Sequence, residues 1–143
     1  MAFEVSFNTK WSDFDPNRHM RHTAYNDYAA EARIRYFAFA GHPVNELASD
    51  DIGPILFEEF TSFRKEIHFG ESVTVNCKLL GMSEDKRKWK IRHEVRNTAG
   101  ELSAVIEVFG AWIDLQKRRL TVLPPKYDDM MDQMEKTDDY QTL

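Results

Sequence analysis

Polar and apolar residues alternate at the start of the chain: Phe3, Val5, Phe7, Thr9 and Trp11 are interleaved with Glu4, Ser6, Asn8 and Lys10. A period of two is that of a strand with one buried face. The pattern changes over residues 23–40, where Ala, Tyr, Phe and Ile occupy most of the helical circumference without Gly or Pro. This predicts a long helix enclosed by other structure. Gly41 and Pro43 stop it, since Gly suits the left-handed end position and Pro cannot continue a helix. Residues 44–51 read as a connector with room for a short helix, ending at Gly53-Pro54. Residues 55–67 are strand-like but mixed.

Three clearer strands follow. Val73, Val75, Cys77 and Leu79 share a face in the first, and Trp89, Ile91, His93 and Val95 in the second. The third spans residues 102–115. The segments 83–86 and 97–100 are turns between them. Residues 127–136 predict a short helix, with Met130, Met131 and Met134 as packing. The order is strand, long helix, then antiparallel strands. It predicts an α+β fold with one helix laid on a curved antiparallel sheet of about five strands. Such a sheet leaves an edge open, so a homodimer is expected. Residues 1–136 read as a single domain and 137–143 as an acidic tail without regular structure.

Composition narrows the function. A formal charge of −5 and a pI near 5.5 argue against general nucleic-acid binding, which needs a basic face. The lone Cys77 rules out an intrachain disulfide framework and fits a reducing compartment. No basic-then-apolar leader and no bilayer-length apolar run is seen, so a cytoplasmic protein without a membrane span is expected.

The chemistry concentrates just before the long helix. Asp13, Asp15, Asn17, His19 and His22 fall within ten residues. A helix start carries unpaired N–H groups and partial positive charge, which suit an anion or the oxyanion of an attacked carbonyl. A carboxylate, two imidazoles and free donors together point to acyl chemistry. Asp13 is read as structural. Asp13, Asp15, His19 and His22 are also of types that bind zinc or iron, but no further cluster supports a metal. His93 is read as a core histidine and Cys77 as a buried, inert thiol. The runs 86–88 and 117–119 are basic, and suit either a solvated hairpin or the phosphates of a ligand.

The run Asp13-Phe14-Asp15-Pro16-Asn17-Arg18-His19-Met20-Arg21-His22-Thr23-Ala24-Tyr25 resembles the opening motif of hotdog-fold thioesterases of the 4-hydroxybenzoyl-CoA thioesterase type. Gly70-Glu71 and the stretch from Ala111 to Pro125 resemble the family's later turn and closing strand, so the likeness covers residues 3–135. The resemblance implies a hotdog fold and an acyl-CoA thioesterase. Asp15 falls on the family's catalytic aspartate, as base or nucleophile. His22 falls on the histidine that short-chain acyl-CoA enzymes carry seven residues later. Asp15, Asn17 and His19 also reproduce the spacing of plant acyl-ACP thioesterases, in which Glu66 would match an acidic strand residue. Arg18 and Arg21 depart from the usual Gly and Asn.

The site implied is therefore Asp15, His22, His19 and Asn17 as catalytic residues, with Thr23 and Tyr25 binding substrate. No metal and no cofactor is implied beyond the coenzyme A of the substrate. The partners implied are an acyl-CoA and a second copy of the chain, as a dimer or a dimer of dimers. Two rivals stand beside this reading: an acyl-ACP thioesterase, and a hotdog module that binds acyl groups without hydrolysing them.

Overall fold

In the computed structural model, which describes residues 2–143, alternation becomes strand and the long apolar segment becomes helix. Residue 1 of the expected domain lies outside the described residues. The order is β1 (Glu4–Asn8), α1 (His22–Phe39), α2 (Val44–Ser49), β2 (Ile52–Phe63), β3 (Ser72–Asn76) and β4 (Lys78–Met82). Then come β5 (Lys88–Arg96), β6 (Leu102–Asp114), β7 (Arg119–Leu120), α3 (Asp128–Asp132) and β8 (Lys136–Thr142). No helix of the described residues is long and apolar enough to cross a membrane.

All eight strands form one sheet. β5 lies at its centre, with β6 antiparallel along one side and β3 and β4 end to end along the other. β1 extends the flank beyond β3, and β8 runs parallel to β4. β2 pairs only with β6 and forms the opposite edge. The sheet curls around α1, which packs against β1, β3, β5 and β6.

Four features differ from the sequence reading. Strand β2 begins at Ile52, and Pro54 sits inside it opposite Trp112, because an edge strand tolerates a missing N–H. The count exceeds five because β3 and β4 are one line of chain broken at Cys77, and because β7 and β8 add to it. Residues 136–142, expected as a helix end and an unstructured tail, are strand β8. Finally, one chain does not enclose α1: Ile34 is 37% and Phe39 50% exposed.

The interior is aromatic. Trp89, Trp112, Tyr36, Phe37 and Tyr127 are fully or almost fully buried, and fully burying such a ring contributes about 2–3 kcal/mol. The Tyr36 hydroxyl donates to the Met130 carbonyl at 2.7 Å, tying α1 to the segment holding the buried Met130, Met131 and Met134. Gly110 is required on β6. A Cβ there would lie 2.4 Å from the Ile55 carbonyl oxygen and 2.5 Å from the Trp89 ring.

One polar cluster interrupts this core. His93 is fully buried, and its Nδ1 lies 2.7 Å from the Asn76 carbonyl oxygen while its Nε2 lies 3.1 Å from Arg33 Nη1. A carbonyl only accepts and a guanidinium only donates. His93 is therefore neutral, with its proton on Nδ1. Burial first, then the Arg33 charge, lowers its pKa from 6.5 to about 3. Cys77 lies beside it, Sγ 3.5 Å from Nδ1, and burial pushes this thiol up to about 12.

The depressed pKa sets a pH dependence. Between pH 6.5 and 3 the unfolded chain binds a proton at His93 that the folded chain refuses, so stability falls as pH falls through that window. From neutral pH to pH 5 this group removes about 2 kcal/mol. In urea melts, His93→Gln is expected to lose less stability over that interval than the unsubstituted chain, by about that amount. Equal pH slopes would contradict the assignment.

Candidate active site

The loop between β1 and α1 is built on a buried carboxylate. Asp13 is 3% exposed. Its Oδ2 accepts from the Lys10 N–H at 3.0 Å and from the Tyr28 hydroxyl, and Arg21 Nη2 lies 4.0 Å from its Oδ1. Burial, and then the hydrogen bond to this carboxylate, raises the Tyr28 phenol pKa. The Asp13 carbonyl accepts from the Arg21 N–H at 2.8 Å, and Arg21 Nε donates to the Ser12 carbonyl at 2.9 Å. These bonds join the loop's two ends to α1. The structure thus gives Asp13 the structural role read from the sequence.

Between those ends the chain folds into a small hairpin. Phe14 bridges Met20, the Asp15 N–H donates to the His19 carbonyl at 3.1 Å, and the Arg18 N–H donates to the Asp15 carbonyl at 3.0 Å. Pro16 suits the second turn position. Arg18 closes the turn with φ +69°, a conformation that favours glycine. The hairpin docks on the segment after β2: Met20 N–H donates to the Ile67 carbonyl at 2.9 Å, and His19 bridges His68.

This docking brings distant residues together. Asp15 Oδ1 accepts the Asn17 N–H at 2.9 Å. Its Oδ2 lies 3.8 Å from His19 Nδ1, and Glu66 Oε1 lies 3.6 Å from His19 Nε2. His19 therefore sits between two carboxylates, at ion-pair range and longer than a hydrogen bond.

Asp15, His19, Met20, His22 and Tyr25 line one side of an open pocket of about 310 Å³, and Phe63, Arg64, Lys65 and Glu66 line the other. Tyr25 is 4% exposed and meets Phe63 edge-on at 5.2 Å. Burial raises its phenol pKa, opposed by a hydrogen bond with the Ile67 backbone. Helix α1 opens beside this pocket without a side-chain cap. Among the described residues the N–H groups of His22 and Thr23 have no hydrogen-bond partner. Across Asp15 lies a cleft of about 580 Å³ lined by Trp11, Phe14, Pro16, Arg18 and Phe69. It holds no histidine, so the acid–base groups converge on the first pocket.

Asp15, His19, His22 and Tyr25 thus share one pocket. Asn17 and Thr23 are exposed and do not line it: Asn17 supplies a backbone N–H, and the Thr23 hydroxyl accepts from Arg21. The pocket also takes Phe63, Arg64 and Lys65, which sequence reasoning did not select. Their only signal was a basic pair directly after a strand. The basic runs 86–88 and 117–119 are not part of its lining. Among the described residues, no group of three or more His, Cys, Asp or Glu is placed to hold a metal ion.

The family model of the thioesterase-like superfamily matches residues 9–133, so the chain belongs to that superfamily. Solved structures share its fold. One is a Staphylococcus aureus protein in complex with CoA, 19% identical, TM-score 0.84, covering 96% of this chain and 87% of that one. Another is a 1,4-dihydroxy-2-naphthoyl-CoA thioesterase from Synechocystis, 16% identical, TM-score 0.81, covering 92% and 96%. A third is the 12:0-ACP thioesterase of Umbellularia californica, 17% identical, TM-score 0.77, covering 96% of this chain but 55% of that one. At these identities the likeness is one of fold. No curated protein sequence matches the chain significantly.

The Asp13 network gives a stability prediction. Asp13→Ala leaves the Lys10 N–H without its acceptor and the Tyr28 hydroxyl with only the distant Asn8 carbonyl at 3.5 Å, and is expected to cost about 3 kcal/mol. Tyr28→Phe is expected to cost less, about 1–2 kcal/mol. Urea denaturation midpoints measure both, and an unshifted midpoint for Asp13→Ala would contradict the role given to it.

Proposed function

We propose that the chain hydrolyses an acyl-CoA thioester to a free acid and coenzyme A. The observation that carries this reading is the meeting of Asp15, His19 and His22 with an uncapped helix start at one pocket. A thioester is already activated. Its leaving thiolate is a weak base, with a thiol pKa of about 8.5 by analogy with free cysteine, so departure needs little acid help. What hydrolysis requires is a base or nucleophile and a place for the oxyanion.

Asp15 takes the first role. As base it accepts a proton from water while the water oxygen adds to the carbonyl carbon. As nucleophile it adds directly, and water then cleaves the mixed anhydride. The oxyanion faces the His22 and Thr23 N–H groups, where one donor is worth about 3–4 kcal/mol of barrier. Collapse breaks the carbon–sulfur bond and releases the thiolate. His19, flanked by Asp15 and Glu66, orients the water, and His22 holds the thioester carbonyl. Asn17 sets the Asp15 carboxylate through its N–H. Arg64 and Lys65, at the pocket rim, meet the phosphates of coenzyme A. The open β2 edge, with Phe57, Phe60 and Phe63 exposed, supports a homodimer.

The acyl-ACP reading keeps the same chemistry and changes the carrier. The placement of Glu66 beside His19 favours it, because Asp15, Asn17, His19 and Glu66 then match the plant pattern. Turnover of equal concentrations of the two thioesters separates the carriers.

Asp15→Asn is expected to lower kcat about a hundredfold or more in a thiol-release assay over short, long and aromatic acyl-CoAs. Its thermal midpoint should stay within a few degrees of the unsubstituted chain. Glu66→Gln should lower kcat less than Asp15→Asn does. Full activity in Asp15→Asn would overturn the role given to Asp15, and no thiol release from any acyl-CoA by the unsubstituted chain would end the hydrolytic reading.

A further inference from the structure

A second cavity lies farther along α1. It has a volume of about 130 Å³ and is lined by Ala30, Arg33, Ile34 and Phe37 of α1, Pro54 and Leu56 of β2, and Trp89 of β5. Apart from Arg33 and the Trp89 indole, every residue on that wall is apolar. Arg33 is only 8% exposed. Its one hydrogen-bond partner is the neutral His93, and no carboxylate of the described residues forms an ion pair with it. Burial holds its pKa below the ordinary arginine value, opposed by the field of Glu59. Trp89 contributes a second orphan donor: its indole N–H is buried and lacks a partner among the described residues. The buried Arg33 cation therefore adjoins a small space whose lining side chains supply no acceptor. Such a group is costly to leave unmatched.

The cavity is aligned with the candidate active site. His22, Tyr25, Arg33 and Phe37 fall on one face of α1 at helical spacing. The two groups of lining residues are offset by about ten positions, or about 15 Å at 1.5 Å per residue. Both pockets are bounded on the far side by β2. Between them the small Ala29 occupies the helix, and one hydrogen bond, Thr61 Oγ1 to Asn26 Oδ1 at 2.8 Å, joins helix to strand. A chain running from the first pocket to the second displaces or passes over that bond.

We propose that the Arg33 cavity receives a carboxylate at the far end of the substrate's acyl chain, so that the preferred acyl group is an ω-carboxyacyl group of medium length. Arg33 presents a donor fork that matches a carboxylate, and the apolar wall takes the last methylenes. This inference rests on the assignment of the thioester to the Asp15 pocket, but its test does not require turnover.

The probes are the non-hydrolysable coenzyme A thioethers of an ω-carboxyalkyl chain (the diacid probe) and of the plain alkyl chain of equal length without a carboxylate (the monoacid control), compared over a series of medium chains by calorimetry. The unsubstituted chain is expected to bind the diacid about tenfold or more tightly than the monoacid at the best length. Arg33→Met should abolish that ratio, and Arg33→Lys, with a charge but no fork, should reduce it. Equal binding of the two probes by the unsubstituted chain overturns the proposal, as does an unchanged ratio in Arg33→Met. If Arg33→Met does not fold, the unsubstituted chain and Arg33→Lys decide alone. A clear diacid preference without any thioester turnover would sink the hydrolytic reading and spare the cavity. Turnover without the preference would do the reverse.

Discussion

The Asp13 carboxylate is withdrawn from water at the point where three pieces of chain must meet. It accepts from Lys10 and Tyr28 and lies near the Arg21 guanidinium. A buried carboxylate is tolerated only when its acceptor sites are filled, so the loop, the helix entry and Tyr28 are fixed together or not at all. The hairpin that carries Asp15 packs Met20 into the core and Phe14 against Phe69. Its position is inherited from this anchor on one side and from the backbone bonds to Ile67 and His68 on the other. The geometry of the candidate site in this chain therefore depends on a residue that does not line the pocket.

The same anchor explains why the start of α1 stays open. Arg21 occupies the capping position but turns its guanidinium back to Ser12, Thr23 and Asp27. It leaves the first helical N–H groups free. A Ser or Asp there would cap the helix and contribute about 1 kcal/mol. That gain would come by filling the donors that the proposed oxyanion requires.

Much of the architecture was legible because burial on one face imposes a period. Val73 and Val75, and Trp89 through Val95, alternate inward as read, and the long apolar segment is α1 within a residue at each end. Strand β8 was not legible, because it lies on a flank with mostly polar side chains and only Thr137 buried. Its pairing comes from backbone bonds, which leave no mark on composition. Pro54 misled for a related reason: its meaning depends on β2 being an edge, a property of topology. The site divides in the same way. Asp15, His19, His22 and Tyr25 are close in sequence, so a local motif finds them. Phe63, Arg64, Lys65 and Glu66 arrive through the curl of the sheet, and Asn17 and Thr23 turn out to lie beside the pocket.

Gly110 has a bearing on which substitutions this chain can absorb near the Arg33 cavity. The missing side chain lets the Trp89 ring and the Ile55 carbonyl press onto β6, and Trp89 also lines the Arg33 cavity as part of its floor or wall. Any larger residue at position 110 would push that ring before it changed anything else. Drift in ligand length must then proceed through the walls, at Ala30, Ile34, Pro54 and Leu56, where a methyl group more or less is absorbed. The contact of Trp89 with β6, by contrast, leaves no room for a side chain at position 110.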